Sequence, residues 1–133
     1  MKRHFADAFF FFVWWNRRDR AHGRVESFLR AFDGHLLTTH WLLMEVADGL
    51  ASTPARREVR ALFAELESDP MVSIIEPNDS VNRRGLALYD ERPDKAWSLT
   101  DCISFVVMAD EGLSEALTGD HHFEQAGFVA LLA

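Results

Sequence analysis

The chain has 133 residues, 48% of them hydrophobic and 26% charged. That is enough for one globular domain, residues 1–133, and too little for two independent cores. Fourteen basic residues against 21 acidic ones leave a formal charge of −7, so bulk electrostatics repel nucleic acid and any such contact has to come from a local basic patch. The single cysteine, Cys102, excludes an internal disulfide and a multi-cysteine zinc site, and it suits a reducing, cytoplasmic setting.

The pattern alternates short apolar runs with longer helical ones. His4 to Ala6 is an opening strand. The run Ala8 to Trp15 falls far short of the ~20 residues needed to span a bilayer. Asp7 before it and Asn16-Arg17-Arg18-Asp19 after it do not fit a signal peptide. The run reads as a buried segment, and no membrane contact is expected. Asp19 is placed to N-cap a helix striped by Ala21, Val25, Phe28, Leu29 and Phe32, which Asp33-Gly34 stops. Leu36 to Thr39 is a second strand, followed by a helix with Leu42, Leu43, Val46, Ala47 and Leu50 inward. Ser52-Thr53-Pro54 is a cap with proline at the first helical position. Ala55, Val59, Leu62, Phe63 and Leu66 then repeat the helical stripe until Pro70. Val72 to Ile75, β-branched and apolar, is a third strand. Asn78-Asp79 caps a helix running towards Tyr89. Ser98-Leu99-Thr100-Asp101 resembles a capping box with Asp in place of Glu or Gln. The helix behind it runs through Cys102, Ile103, Phe105, Val106 and Met108 to a stop near Gly112. Glu115 to Thr118 and Val129 to Leu132 complete five candidate strands.

Strands separated by helices imply an α/β protein: three α/β/α layers with a central, mainly parallel sheet. In such sheets ligands bind at the carboxyl ends of the strands, where the strand order reverses. Four acids fall near such places. Asp7 follows the first strand and Asp120 the fourth; Asp101 lies in the first turn of a helix, and Glu45 inside the helix after the second strand. Asp7 is the oddest, because it opens an apolar run. Two carboxylates 4 Å apart repel by ~4 kcal/mol at an effective dielectric near 20. Four that converge need raised pKa values or a bound cation. An all-oxygen donor set selects Mg²⁺ or Mn²⁺ over zinc and suits phosphodiester hydrolysis.

Other features carry weaker signals. Arg17, Arg18, Arg20 and Arg24 form a basic cluster whose planar guanidinium forks suit phosphate; an ordinary solvated face fits equally. Arg56, Arg57 and Arg60 read as a solvated helix face or a seat for an acidic partner segment. Phe9 to Phe12 cannot share one helix face, so some need cover from a partner chain. His121-His122 beside Asp120 lacks the further spaced ligands of a zinc site. Cys102 in an apolar helix reads as core, with a thiol-nucleophile hydrolase as the competing possibility.

The segments Phe5-Ala6-Asp7, Asn16-Arg17-Arg18-Asp19, Thr38-Thr39-His40-Trp41-Leu42-Leu43-Met44-Glu45-Val46-Ala47, Trp97-Ser98-Leu99-Thr100-Asp101-Cys102 and Ala116-Leu117-Thr118-Gly119-Asp120-His121-His122-Phe123 together resemble PIN-domain ribonucleases of the toxin-type (VapC-like) group. The resemblance covers essentially the whole chain in order. It implies a PIN-like fold and a Mg²⁺- or Mn²⁺-dependent endoribonuclease that cleaves RNA with an activated water. Asp7, Glu45, Asp101 and Asp120 are the implied catalytic and metal-binding residues. It also implies a homodimer and a cognate antitoxin protein whose tail occupies the groove. Two positions depart from the pattern. Ala8 stands where Thr or Ser often follows the first aspartate, and His122 stands where some members carry a further acid. These departures keep open a second reading, a catalytically silent PIN-like module that binds protein or RNA.

Overall fold

The computed structural model describes residues 2–133. In chain order the elements are β1 (Lys2–Ala6), α1 (Ala8–Trp15), α2 (His22–Ala31), β2 (Gly34–Thr39), α3 (His40–Leu50), a 3₁₀ turn (Pro54–Glu58), α4 (Val59–Ser68), β3 (Val72–Ile75), α5 (Asp79–Glu91), α6 (Leu99–Asp110), β4 (Glu115–Leu117), α7 (His121–Gln125) and β5 (Val129–Ala130). The sheet order is β3-β2-β1-β4-β5, and every neighbouring pair is parallel. Parallel neighbours need long crossovers, which here are the helices.

Consecutive strand residues point to opposite faces. Phe5 and Ala6 in β1, and Ala116 and Leu117 in β4, are all at most 1% exposed. Both faces of the central strands are therefore dry, which is why these strands read as continuous apolar runs. Helices cover the sheet in α/β/α layers, the architecture the alternating pattern implies. The core is centred on aromatic rings. Phe105 meets Phe123 at 5.0 Å and Trp97 at 5.1 Å between centroids, and Phe5 meets Phe123 at 6.4 Å.

The helix starts follow their side chains. Thr39 accepts a hydrogen bond from Leu42 N (3.1 Å) at the head of α3, and Asn78 accepts one from Val81 N (2.9 Å) at the head of α5. At the end of α6, Gly112 takes φ +67, a left-handed value that disfavours a Cβ. The following N–H, of Leu113, returns to Met108 O at 2.9 Å, closing the last turn.

Several details differ from the sequence expectation. Asp19 does not cap α2; its Oδ1 accepts from Ala21 N (2.9 Å) in a preceding turn, and the helix starts at His22. β4 ends at Leu117, because Thr118 turns out of the ladder. β5 is two residues long, and the short helix α7 was not anticipated. Finally, Phe9 and Phe12 are partly buried against the chain's own core. A Cβ on Gly119 would lie 2.6 Å from Phe9 Cζ, and one on Gly49 would lie 2.5 Å from Phe12 Cζ. Two glycines thus form the notches that seat these rings.

Candidate active site

The chain leaves β1 for β2 on one side, and β4 lies on the other side of β1. The strand order therefore reverses between β1 and β4, and a crevice opens at their carboxyl ends. Asp7 follows β1 directly and Asp120 lies just beyond β4. The β1–β4 register pairs Ala6 with Leu117, so the next residues out, Asp7 and Thr118, meet at the crevice floor. Thr118 Oγ1 donates to Asp7 Oδ2 (2.8 Å) and accepts from Asp120 N (3.0 Å). One buried hydroxyl thus ties the first acid to the last.

Asp101 is fixed by the start of α6. Its backbone N–H donates to Ser98 Oγ (2.9 Å), and Ser98 N donates to Asp101 Oδ2 (3.1 Å). The capping box expected from the sequence is present, and an N3 carboxylate also suits the positive end of the helix dipole. Asp120 caps α7 by accepting from His122 N (2.9 Å). His122 then turns its ring inward: Nδ1 lies 3.1 Å from Asp101 Oδ2 and 3.4 Å from Asp120 Oδ1. Ligand atoms of Asp120, His121 and His122 all fall within 4.8 Å of one another. The His121 side chain is 70% exposed, and its Nδ1 is 3.7 Å from Asp120 Oδ1.

Asp7 is only 5% exposed. Burial pushes its pKa up to about 7, against the lowering effect of the Thr118 and Ala8 hydrogen bonds; the charges of Glu45 and Asp101 push it further up. The Glu45 carboxyl is also raised, first by burial and then by the charges of Asp101 and Asp120. Each of the four acids thus feels at least one of the others. Among the described residues their ion-pair partners are histidines; no lysine or arginine pairs with them. Carboxylates held together without a lysine or arginine among them favour a divalent cation, and the donor chemistry fits one.

The basic cluster is not brought beside these acids. α1 separates it from Asp7 by eight residues, about 12 Å of helix. Arg17 instead lines a cleft of about 450 Å³ with Trp14, Trp15, His22, Glu26 and Glu58, and Arg24 Nη1 donates to Ala133 O (3.4 Å). A larger cleft, about 770 Å³, is lined by Ser98, Leu99 and Cys102, which flank Asp101 in sequence, and by Tyr89, Arg92 and Lys95; none of the four acids is in its lining. Cys102 is buried, and burial, aided by the Asp101 charge, raises its thiol pKa. Its thiol therefore stays protonated and inaccessible, the opposite of an activated nucleophile.

Sequence reasoning missed two site residues. Thr118 has no signal until the β1–β4 register is known. In the sequence His122 reads as a departure from the family pattern and, with His121 and Asp120, as an incomplete zinc set; nothing there places its ring between two acids.

The PIN domain family profile matches residues 7–129. No curated protein matches the chain at the sequence level. Among solved structures, VapC20 of Mycobacterium tuberculosis, a sarcin–ricin-loop-cleaving toxin, is similar at 22% identity and a TM-score of 0.88, with 98% of each chain covered. FitAcB from Neisseria gonorrhoeae is similar at 15% identity and a TM-score of 0.69, covering 97% of this chain and 95% of that one. VapBC2 from Rickettsia felis, bound to a DNA fragment from its promoter, is similar at 10% identity and a TM-score of 0.68, with 97% of each chain covered. At these identities the likeness is one of fold.

Proposed function

Because this chain belongs to the PIN-domain family, we propose that it is a divalent-cation-dependent endoribonuclease and the toxin of a toxin–antitoxin pair. The observation that carries the reading is the approach of Asp7, Glu45, Asp101 and Asp120 to one another at the strand-order reversal with no lysine or arginine paired to them.

In this reading Asp7, Asp101 and Asp120, together with Glu45, hold Mg²⁺ or Mn²⁺. The cation supplies positive charge opposite the scissile phosphate and makes nearby water more acidic. The chain's own groups set the geometry. Thr118 fixes the Asp7 carboxylate, the Ser98 box fixes Asp101, and the α7 cap fixes Asp120. Glu45, with its carboxyl held above the ordinary range, is the group placed to take a proton from the attacking water. RNA enters along the Tyr89–Leu99 cleft, where Arg92 and Lys95 offset the acidic surface and Tyr89 offers a stacking face. Arg17, Arg18, Arg20 and Arg24 contact the RNA backbone beyond the first nucleotides.

We extend the proposal to partners. The exposed side chains of Met44 and Leu86 supply apolar surface for a second copy of the chain. An antitoxin protein is the proposed inhibitor, and the cytoplasm the proposed location. No helix among the described residues is long and apolar enough to cross a membrane.

The test is cleavage of RNA by purified protein with Mg²⁺, Mn²⁺ or chelator. Asp101→Asn should lower the metal-dependent rate at least about a hundredfold, the loss typical of removing one preorganised electrostatic group. Equal rates in variant and parent, or full activity in chelator, overturn the proposal. Ala8 and His122 favour the silent-module reading; that reading requires no saturable Mn²⁺ binding.

A further inference from the structure

We infer that His122 is a direct nitrogen ligand of the cation in this pocket, so that the site prefers a transition-series divalent ion over Mg²⁺ more strongly than an all-carboxylate site does. The inference rests on the proposed metal-dependent reading and names a ligand that reading does not include.

The argument is geometric. Donors bonded at 2.0–2.1 Å to one ion lie about 2.9 Å apart at octahedral angles and about 3.4 Å apart at tetrahedral angles. His122 Nδ1 is 3.1 Å from Asp101 Oδ2 and 3.4 Å from Asp120 Oδ1. The imidazole thus sits at ligand spacing from each acid taken in turn, and with Asp120 and His121 it belongs to the set whose ligand atoms all lie within 4.8 Å of one another. Its position is set by the chain itself. Asp120 accepts the His122 backbone N–H at 2.9 Å, which starts α7 and directs the side chain at position 122 back over the acids. The ring is one-fifth exposed, so it needs little rearrangement to reach the ion and little energy to lose water.

The neighbouring ring belongs to the same set of ligand atoms but is the more exposed of the two. His121 is mostly in solvent, and its Nδ1 is 3.7 Å from Asp120 Oδ1. In the metal-free protein the His122 Nδ1–H donates to Asp101 Oδ2. As a ligand, Nδ1 presents its lone pair to the ion and the ring proton resides on Nε2. Imidazole nitrogen binds the later first-row ions better than Mg²⁺, which is satisfied by oxygen. A pocket with one nitrogen among its oxygens therefore discriminates more strongly than four carboxylates alone.

The experiment is electron spin-echo envelope modulation on the full-length protein, stripped with chelator and loaded with substoichiometric Mn²⁺. Nitrogen-14 modulation of the size given by a bound imidazole is expected in the parent and in His121→Asn, and is lost in His122→Asn. In parallel, His122→Asp restores an oxygen donor and should lower the ratio of Mn²⁺ to Mg²⁺ affinity by about tenfold, read by calorimetric competition. Saturable Mn²⁺ binding with no nitrogen coupling in the parent overturns the inference and leaves the metal-dependent reading standing. Coupling that survives in His122→Asn assigns the nitrogen elsewhere and also overturns it. Absence of saturable Mn²⁺ binding removes both.

Discussion

Asp7→Asn should stabilise the metal-free protein at neutral pH while disabling the pocket. Asp7 has its pKa pushed from an ordinary 3.8 up to about 7, chiefly by burial, with Glu45 and Asp101 adding their charges. The native state therefore keeps a proton at pH values where the unfolded chain has released it. Stability falls as pH rises from about 4 to about 7, the direction expected when the folded state binds more protons. At 1.36 kcal/mol per pKa unit, three units amount to a penalty of about 4 kcal/mol above pH 7, of which about 2–3 kcal/mol develops between pH 5 and pH 8. Asparagine does not titrate, has nearly the same shape, and keeps an oxygen to accept from Thr118. The assay is urea unfolding of parent and Asp7→Asn in chelator at both ends of that pH window. The variant should gain about 2–3 kcal/mol on the parent across the window, and Mn²⁺ at the upper end should stabilise the parent alone. Parallel pH dependences for the two proteins would refute the electrostatic reasoning.

Other residues give separate checks. Thr118→Val removes the hydroxyl that joins Asp7 to Asp120; Mn²⁺ affinity should fall about tenfold or more, with recovery in Thr118→Ser, measured by calorimetry. Ser98→Ala removes the hydroxyl arm of the α6 capping box and leaves the Ser98 N–H to Asp101 Oδ2 arm in place; it should cost about 1 kcal/mol in urea unfolding. Phe123→Ala empties a fully buried site between the Phe5 and Phe105 rings; a loss of about 3–5 kcal/mol is expected, and a loss under 1 kcal/mol contradicts the packing described.

Much of this architecture was legible in the sequence because local signals and tertiary demands agree. Val72–Ile75 is a β-branched apolar run and forms β3 with those limits. Ser98 and Asp101 spell out their capping box, and Asn78 caps α5 as its side chain suggests. The four acids stood out because helix starts and strand ends are recognisable, and a carboxylate opening an apolar run demands a reason. The missing parts depend on strand order, which no local pattern encodes. Thr118 acquires its role from lying beside Asp7 just past the ends of adjacent strands, 111 residues away in sequence. Asp19 looked like a helix cap, yet the turn through Asn16, Asp19 and Ala21 used its carboxylate first. The notches under Phe9 and Phe12 are equally hidden, because Gly49 and Gly119 mean nothing until α1 lies across them.

The central claim, that Asp7, Asp101 and Asp120 serve one cation, is tested most directly by a crystal structure of the Mn²⁺-soaked protein with anomalous diffraction recorded at the manganese edge. The account predicts an anomalous peak bonded to carboxylate oxygens of all three residues, with Glu45 beside it. A map in which manganese is absent from between these carboxylates, or in which Asp7 and Asp101 face separate regions of solvent, would contradict it.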